Sequence, residues 1–283
     1  MTRGVPKGTL VAVGGNEDKE KDLKVLRTIA GLPEGGTKIV EVIPTASEIP
    51  NEVGQAYINA FSRIGISDVK VMDIRQRAQA RDPALVQRIQ AADVVFFTGG
   101  DQLRITSLIG GSPVLDAIRE HYYNGGVVAG TSAGAAAMSG TMIFEGDAEK
   151  SMKKGNVQMV PGLGLIRTAT IDTHFIQRGR ISRLLEVIAS NPGLIGLGLG
   201  EDTGIIIRDG DRVEAIGTGV VVVVDGHDIH YTNISSIELG DPIAVEHIIV
   251  HTLVEGAKYE LSTQRYHHPP PRVVGALPPA TPT

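Results

Sequence analysis

The sequence predicts an α/β protein built on a mostly parallel sheet with helices on both faces, extended by antiparallel strands towards the C-terminus. Three observations predict it. Up to about residue 200, short apolar runs alternate with helical patterns, the arrangement of strands joined by crossover helices. Several of those runs close in glycine: Gly14-Gly15, Gly99-Gly100 and Gly130. After Glu201 the pattern changes to short period-two stretches with turns at Asp209-Gly210-Asp211 and Asp225-Gly226-His227.

The first strand falls at Thr9–Val13, and further strands are expected at 38–43, 69–74, 93–98 and 127–129. Val94-Val95-Phe96-Phe97 is continuously apolar, as a strand covered on both faces should be. Helices are expected at 19–30, 51–64, 83–91, 102–109, 113–123 and 132–138, with the acids and lysines of 16–20 reading as a helix start. An apolar stretch at 162–171 leads to Asp172-Thr173-His174, and a helix follows at about 180–190. Residues 203–232 read as an antiparallel meander on one edge of the sheet. One domain is expected over 1–266. The end of the chain, 267–283, contains six of the 15 prolines and reads as a disordered tail.

Composition excludes several classes of function. The 283 residues contain no cysteine, so disulfides, thiolate metal sites and a cysteine nucleophile are all ruled out. A net charge of −5 opposes general nucleic-acid binding, which needs a basic face. The longest apolar run, Val220 to Val224, is far too short to cross a bilayer. With no signal-peptide core at its start, the chain is expected to be cytoplasmic, without membrane or nucleic-acid partners. No cofactor and no metal are expected.

The chemistry centres on Gly130-Thr131-Ser132-Ala133-Gly134, which follows an apolar run and precedes an alanine-rich segment. That is the strand–turn–helix setting of a nucleophile elbow, in which Ser132 is exposed at the strand end. A glycine-rich βα turn with an incidental serine is the competing reading. A serine hydroxyl needs a base and a group to orient that base. His174 closes a strand-like run and is placed on the same sheet edge as Ser132, while Glu201 follows another glycine-closed apolar run. The order Ser…His…Glu departs from the α/β-hydrolase order, where the histidine comes last. Ala133 supplies one backbone N–H for an oxyanion hole, and Gly100, at the end of the preceding strand, is placed to supply the second. Three arginines, Arg178, Arg180 and Arg183, crowd the residues after His174 and suit bidentate binding of substrate carboxylates. Replacing Arg180 or Arg183 by alanine is expected to harm cleavage much more than folding.

Taken together, Phe97-Thr98-Gly99-Gly100-Asp101-Gln102, Gly130-Thr131-Ser132-Ala133-Gly134-Ala135, Asp172-Thr173-His174-Phe175 and Arg178-Gly179-Arg180 resemble the cyanophycinase family. These are serine peptidases related to aspartyl dipeptidase, with a flavodoxin-like fold similar to class I glutamine amidotransferases. The resemblance extends to about residue 266. It implies Ser132 as nucleophile, His174 as base and then acid, Glu201 as the orienting carboxylate, and an intracellular homodimer. The implied substrate is cyanophycin, a poly-aspartate carrying arginine on each β-carboxylate, cut to β-aspartyl-arginine. With that substrate, Asp101, Gln102 and Asp172 become candidates to meet the guanidinium of its arginine. The alternatives are an aspartyl dipeptidase acting on short peptides and a non-catalytic binding protein of the same fold. Against the latter, the chain has no Walker A sequence, and acids follow Gly14-Gly15 where a phosphate would have to sit.

Overall fold

The computed structural model describes residues 4–35, 38–147 and 152–270. Five parallel strands form one side of the main sheet, out to its edge: β1 (Thr9–Val13), β2 (Ile39–Ile43), β3 (Asp68–Val71), β4 (Val94–Phe97) and β5 (Val127–Thr131). Between them run α1 (Lys24–Gly31), α2 (Pro50–Arg63), α3 (Pro83–Ala91), α4 (Gln102–Ile109) and α5 (Pro113–Tyr123), and α6 (Ala133–Ala136) follows β5. The pair β6 (Thr141–Glu145) and β7 (Gln158–Pro161) forms a small ribbon, followed by β8 (Ala169–Asp172), α7 (Ile181–Ser190) and β9 (Ile195–Leu199). The C-terminal strands are β10 (Thr203–Arg208), β11 (Arg212–Gly217), β12 (Val221–Asp225), β13 (Tyr231–Thr232), β14 (Val245–Glu246), β15 (Ile249–Leu253), β16 (Lys258–Glu260) and β17 (Arg265–His267). The main sheet has nine strands in the order β17-β16-β11-β10-β1-β5-β4-β2-β3.

Alternation along β1 shows how the sheet is covered. Leu10 and Ala12 face one hydrophobic cluster with residues of α3, α4 and α5, and Val11 and Val13 face another with residues of α1 and α2. Both faces are therefore buried under helices, as the continuous apolar runs require.

The C-terminal half departs from a simple meander. β10 and β11 do extend the main sheet, β10 antiparallel to β1 and β11 antiparallel to β10. β12 instead leaves for a second sheet of order β15-β12-β9-β8, in which β8 and β9 are parallel. The five valines at 220–224 are the reason: Val221 and Val223 face the large cluster shared with the main sheet, while Val222 and Val224 pack under α7. A strand apolar on both sides belongs inside, with cover on each face. Much of the expected tail lies outside the described residues; His267 closes β17 and residues 271–283 are not described.

The first helix also starts later than its charge pattern predicts, at Lys24 instead of about residue 19. The Asp18 carboxylate accepts hydrogen bonds from the N–H groups of Glu20, Lys21, Asp22 and Leu23, which fold 18–23 into a loop. Those four donors hold its pKa well below the usual carboxylate range. Leu23, at φ 50°, ends the loop.

Candidate active site

Ser132 stands at the junction of β5 and α6 with φ 51° and ψ −115°, a backbone conformation that L-residues rarely adopt. Such strain persists only where surrounding contacts enforce it, at about 1–3 kcal/mol. Here the turn is closed by contact: a methyl on Gly130 would lie 2.7 Å from the Gly134 carbonyl carbon, and one on Gly134 2.5 Å from Phe97 O. The elbow thus needs both glycines, as the motif implied.

His174 and Glu201 reach this serine from the second sheet, whereas the sequence suggested that His174 shares the sheet edge of Ser132. His174 follows β8 and Glu201 follows β9, two strands that pair in parallel. The separation arises because β8 pairs with β9 and β9 in turn with β12, so the ends of β8 and β9 reach the residues after β1 from outside the main sheet. His174 Nε2 lies 2.9 Å from Ser132 Oγ, and Nδ1 lies 2.7 Å from Glu201 Oε1. Hydrogen bonds from His174 and from Asn16 hold the Glu201 carboxyl below its ordinary pKa, so it is a pure acceptor near neutral pH. Nδ1 therefore donates to Glu201, leaving Nε2 free to accept from the serine hydroxyl.

The last residue of β1 and those after it tie the two sheets together, a role their sequence did not reveal. Val13 O accepts from Ser132 N at 2.9 Å, Gly14 O from His174 N at 2.8 Å, and Gly15 O from Asp202 N at 3.0 Å. Asn16 Nδ2 then donates to Glu201 Oε2 at 2.9 Å. Four successive residues hold Ser132, His174 and the segment of Glu201 in register. Glu17 comes next, with its side chain only 1% exposed. Its carboxylate accepts from the Tyr57 hydroxyl and, at 2.5 Å, from Thr131 Oγ1 on the residue before Ser132. The signal that could have drawn attention to Glu17 is an acid directly after a strand that ends in Gly-Gly.

A cavity of about 340 Å³ adjoins the serine on one side, lined by Gly100, Gln102, Ala133, Arg178, Arg180 and Arg183 among others. The three arginines do converge there, but not as equals. Arg183 is 6% exposed and grips Asp172 with two nitrogens, Nε at 2.9 Å from Oδ2 and Nη2 on Oδ1. Arg180 Nη1 lies 3.2 Å from Asp172 Oδ1 and donates to Thr173 O at 2.6 Å. Burial pulls the Arg180 guanidinium below its ordinary pKa, opposed chiefly by the neighbouring Asp172. Arg178 is exposed.

The expected acidic contacts to a guanidinium need correction. Asp172, 2% exposed, is fully engaged with Arg180 and Arg183 and serves to orient them. Asp101 caps α4, accepting from Leu103 N at 2.8 Å, and does not line the cavity. Gln102 does line it, while its amide donates to the carbonyls of Ile143 and Phe144 at 3.2 Å. Among the described residues, Asp228, His230 and His247 bring possible metal ligands within 4.8 Å of one another, all exposed and outside this cavity.

A strained serine, a histidine with a fixed tautomer and an ionised carboxylate in hydrogen-bonded series are suited to nucleophilic acyl transfer. The class this fold and site define is a serine-type hydrolase on an α/β scaffold. Residues 9–216 match the model of peptidase family S51, and the chain belongs to that family; it is a peptidase. It is 35% identical over 260 residues to the cyanophycinase of Geminocystis herdmanii (strain PCC 6308), covering 92% of this chain and 96% of that protein. It is 34% identical to the cyanophycinase of Nostoc sp. (strain PCC 7120), covering 90% and 86%. A crystal structure of a peptidase from an acI-B1 Actinobacterium superposes with a TM-score of 0.66 at 22% identity, over 91% of this chain and 98% of that one, and shares its fold. Among the described residues, no helix is long and apolar enough to cross a membrane.

Proposed function

We propose that this peptidase hydrolyses the poly-aspartate backbone of cyanophycin and releases β-aspartyl-arginine dipeptides. The observation that carries the reading is the hydrogen-bonded series Ser132–His174–Glu201 beside an arginine-lined cavity. Relatives at 34–35% identity over nine-tenths of the chain, each a cyanophycinase, support the substrate. A polymer that carries a free arginine carboxylate on every unit suits a cavity lined by guanidinium groups.

In this mechanism Ser132 Oγ attacks the scissile carbonyl as His174 Nε2 takes its proton. Glu201 holds the resulting imidazolium through Nδ1–H. The N–H groups of Gly100 and Ala133 receive the developing oxyanion. The C–N bond then breaks as His174 returns the proton to the leaving amine, which leaves an acyl-enzyme on Ser132. Water, deprotonated by His174, attacks the ester, and the serine recovers its proton. No cofactor takes part. Arg178 and Arg180 bind carboxylates of the substrate. Arg183 and Asp172 hold Arg180 in place. A cytoplasmic location and a homodimer belong to the same reading, with support from the family resemblance alone.

The test is incubation of wild-type protein and Ser132→Ala with purified cyanophycin, with soluble products read by mass spectrometry. β-Aspartyl-arginine from the wild type and none from Ser132→Ala is expected. Intact polymer in both, with Ser132 still labelled by a fluorophosphonate, would transfer the activity to short aspartyl peptides.

A further inference from the structure

A second cavity, of about 470 Å³, opens on the other side of the Ser132–His174 pair. Val53, Ala56 and Tyr57 of α2 give it an apolar wall, and Asn16 and Glu201 border it near the histidine. Among the described residues, Lys19 is the one lysine or arginine in its lining.

Lys19 is not a freely swinging surface lysine. Its ammonium sits 2.9 Å from Oε1 of the buried Glu17 and donates to Glu17 O at 3.2 Å. It also lies 5.1 Å from the centre of the Tyr57 ring, where the aromatic face attracts a cation. Two of its three N–H groups are thereby directed at Glu17, leaving one for a ligand. Glu17 in turn divides its acceptor capacity among Lys19, Tyr57 and Thr131, so the lysine does not monopolise that charge. A cation already held in place gives up little further rotamer freedom on binding. With its side chain 30% exposed, it remains within reach of a ligand.

Resting on the substrate assigned above, we propose that this cavity is a second substrate subsite. In it Lys19 binds a carboxylate of the repeat unit that lies across the scissile bond from the arginine cavity. The apolar wall of α2 takes the methylene stem of that unit's arginine. Two cationic points, one on each side of the nucleophile, would set the polymer's register on Ser132.

Calorimetry on Ser132→Ala protein, which binds without turnover, tests this directly. The ligands are a short synthetic oligomer of β-aspartyl-arginine units with free arginine carboxylates, and the same oligomer with those carboxylates amidated. Adding Lys19→Gln should weaken the free-acid oligomer about tenfold, the scale of a charge-assisted hydrogen bond. It should leave the amidated oligomer's affinity unchanged, and Lys19→Arg should restore most of the loss. Equal affinity with and without Lys19→Gln would overturn the proposal. So would an equal loss on both oligomers, which would mark Lys19 as a purely structural partner of Glu17, and so would no binding of either. Failure of the substrate assignment itself would show separately, as polymer left intact by the wild-type protein.

Discussion

Asn16 Nδ2 and Glu201 Oε2 meet at 2.9 Å across 185 residues of sequence, and through that contact the segment after β1 supports the carboxylate hydrogen-bonded to His174. Both this bond and the one from His174 Nδ1 lower the Glu201 pKa. A lowered pKa means the carboxylate stays ionised to more acid pH than a free glutamate. Asn16→Ala removes one of the stabilising donors, so the Glu201 pKa should rise towards its ordinary value. A carboxyl carbon NMR titration of the variant would measure that rise. Activity near neutral pH should fall about tenfold, because the carboxylate loses one of the contacts that orient it. An unchanged Glu201 titration would show that Asn16 has no electrostatic role.

Gly15 bears directly on the histidine. Its φ is 100°, and a methyl there would sit 2.4 Å from His174 Cε1 and 2.5 Å from Nε2. Gly15→Ala must therefore displace the ring as well as strain the backbone. The expected result is a loss of about 100-fold or more in kcat/KM, the scale of a misplaced catalytic group. Stability should fall by only about 1–3 kcal/mol. Steady-state kinetics and a denaturant melt on the same sample would separate the two effects.

The arginines should divide by burial. Arg183 and Asp172 form a buried pair, with side chains 7% and 2% exposed. Removing either partner leaves an uncompensated charge inside the protein, at roughly 3–5 kcal/mol. Arg183→Ala is thus expected to harm folding as much as cleavage, contrary to what its position in the sequence suggested. Arg178→Ala, at an exposed position on the cavity rim, should change stability by less than about 0.5 kcal/mol while raising KM for the polymer. Chemical denaturation of the two variants, set beside their KM values, would check the division.

The parallel core and the strained turn at Ser132 were legible because each rests on local pattern. Strands covered on both faces read as apolar runs, and the elbow requires glycines on both sides of Ser132. His174 and Glu201 were legible too, since each follows an apolar run at a strand end. Their sheet was not, because pairing between β8, β9 and β12 depends on contacts distant in sequence. The network around Asn16 and Glu17 was hidden for a different reason. Asn16-Glu17-Asp18-Lys19-Glu20 has the composition of a helix start, and composition cannot distinguish a solvated acid from one that accepts hydroxyls in the interior. Asp172 shows the same ambiguity in reverse: beside three arginines it resembled a substrate contact, and burial makes it the anchor of Arg180 and Arg183.

Glu17 offers the sharpest remaining test of how the elbow is held. Its carboxylate accepts from Thr131 Oγ1 and from the Tyr57 hydroxyl, and burial together with that negative charge pushes the tyrosine pKa well above its ordinary value. Glu17→Gln replaces one accepting oxygen by an NH2 group that cannot accept, leaving a buried hydroxyl unpaired. The expected destabilisation is about 1–3 kcal/mol. If the network also fixes the strained φ of Ser132, labelling of the serine by a fluorophosphonate should slow by at least about tenfold under conditions where the variant is fully folded. Tyr57→Phe removes a donor and leaves Thr131 held, so it should lose stability without that slowing. Equal labelling rates for Glu17→Gln and Tyr57→Phe would show that Glu17 supports the core alone and leaves the geometry of the nucleophile to Val13 and the glycines.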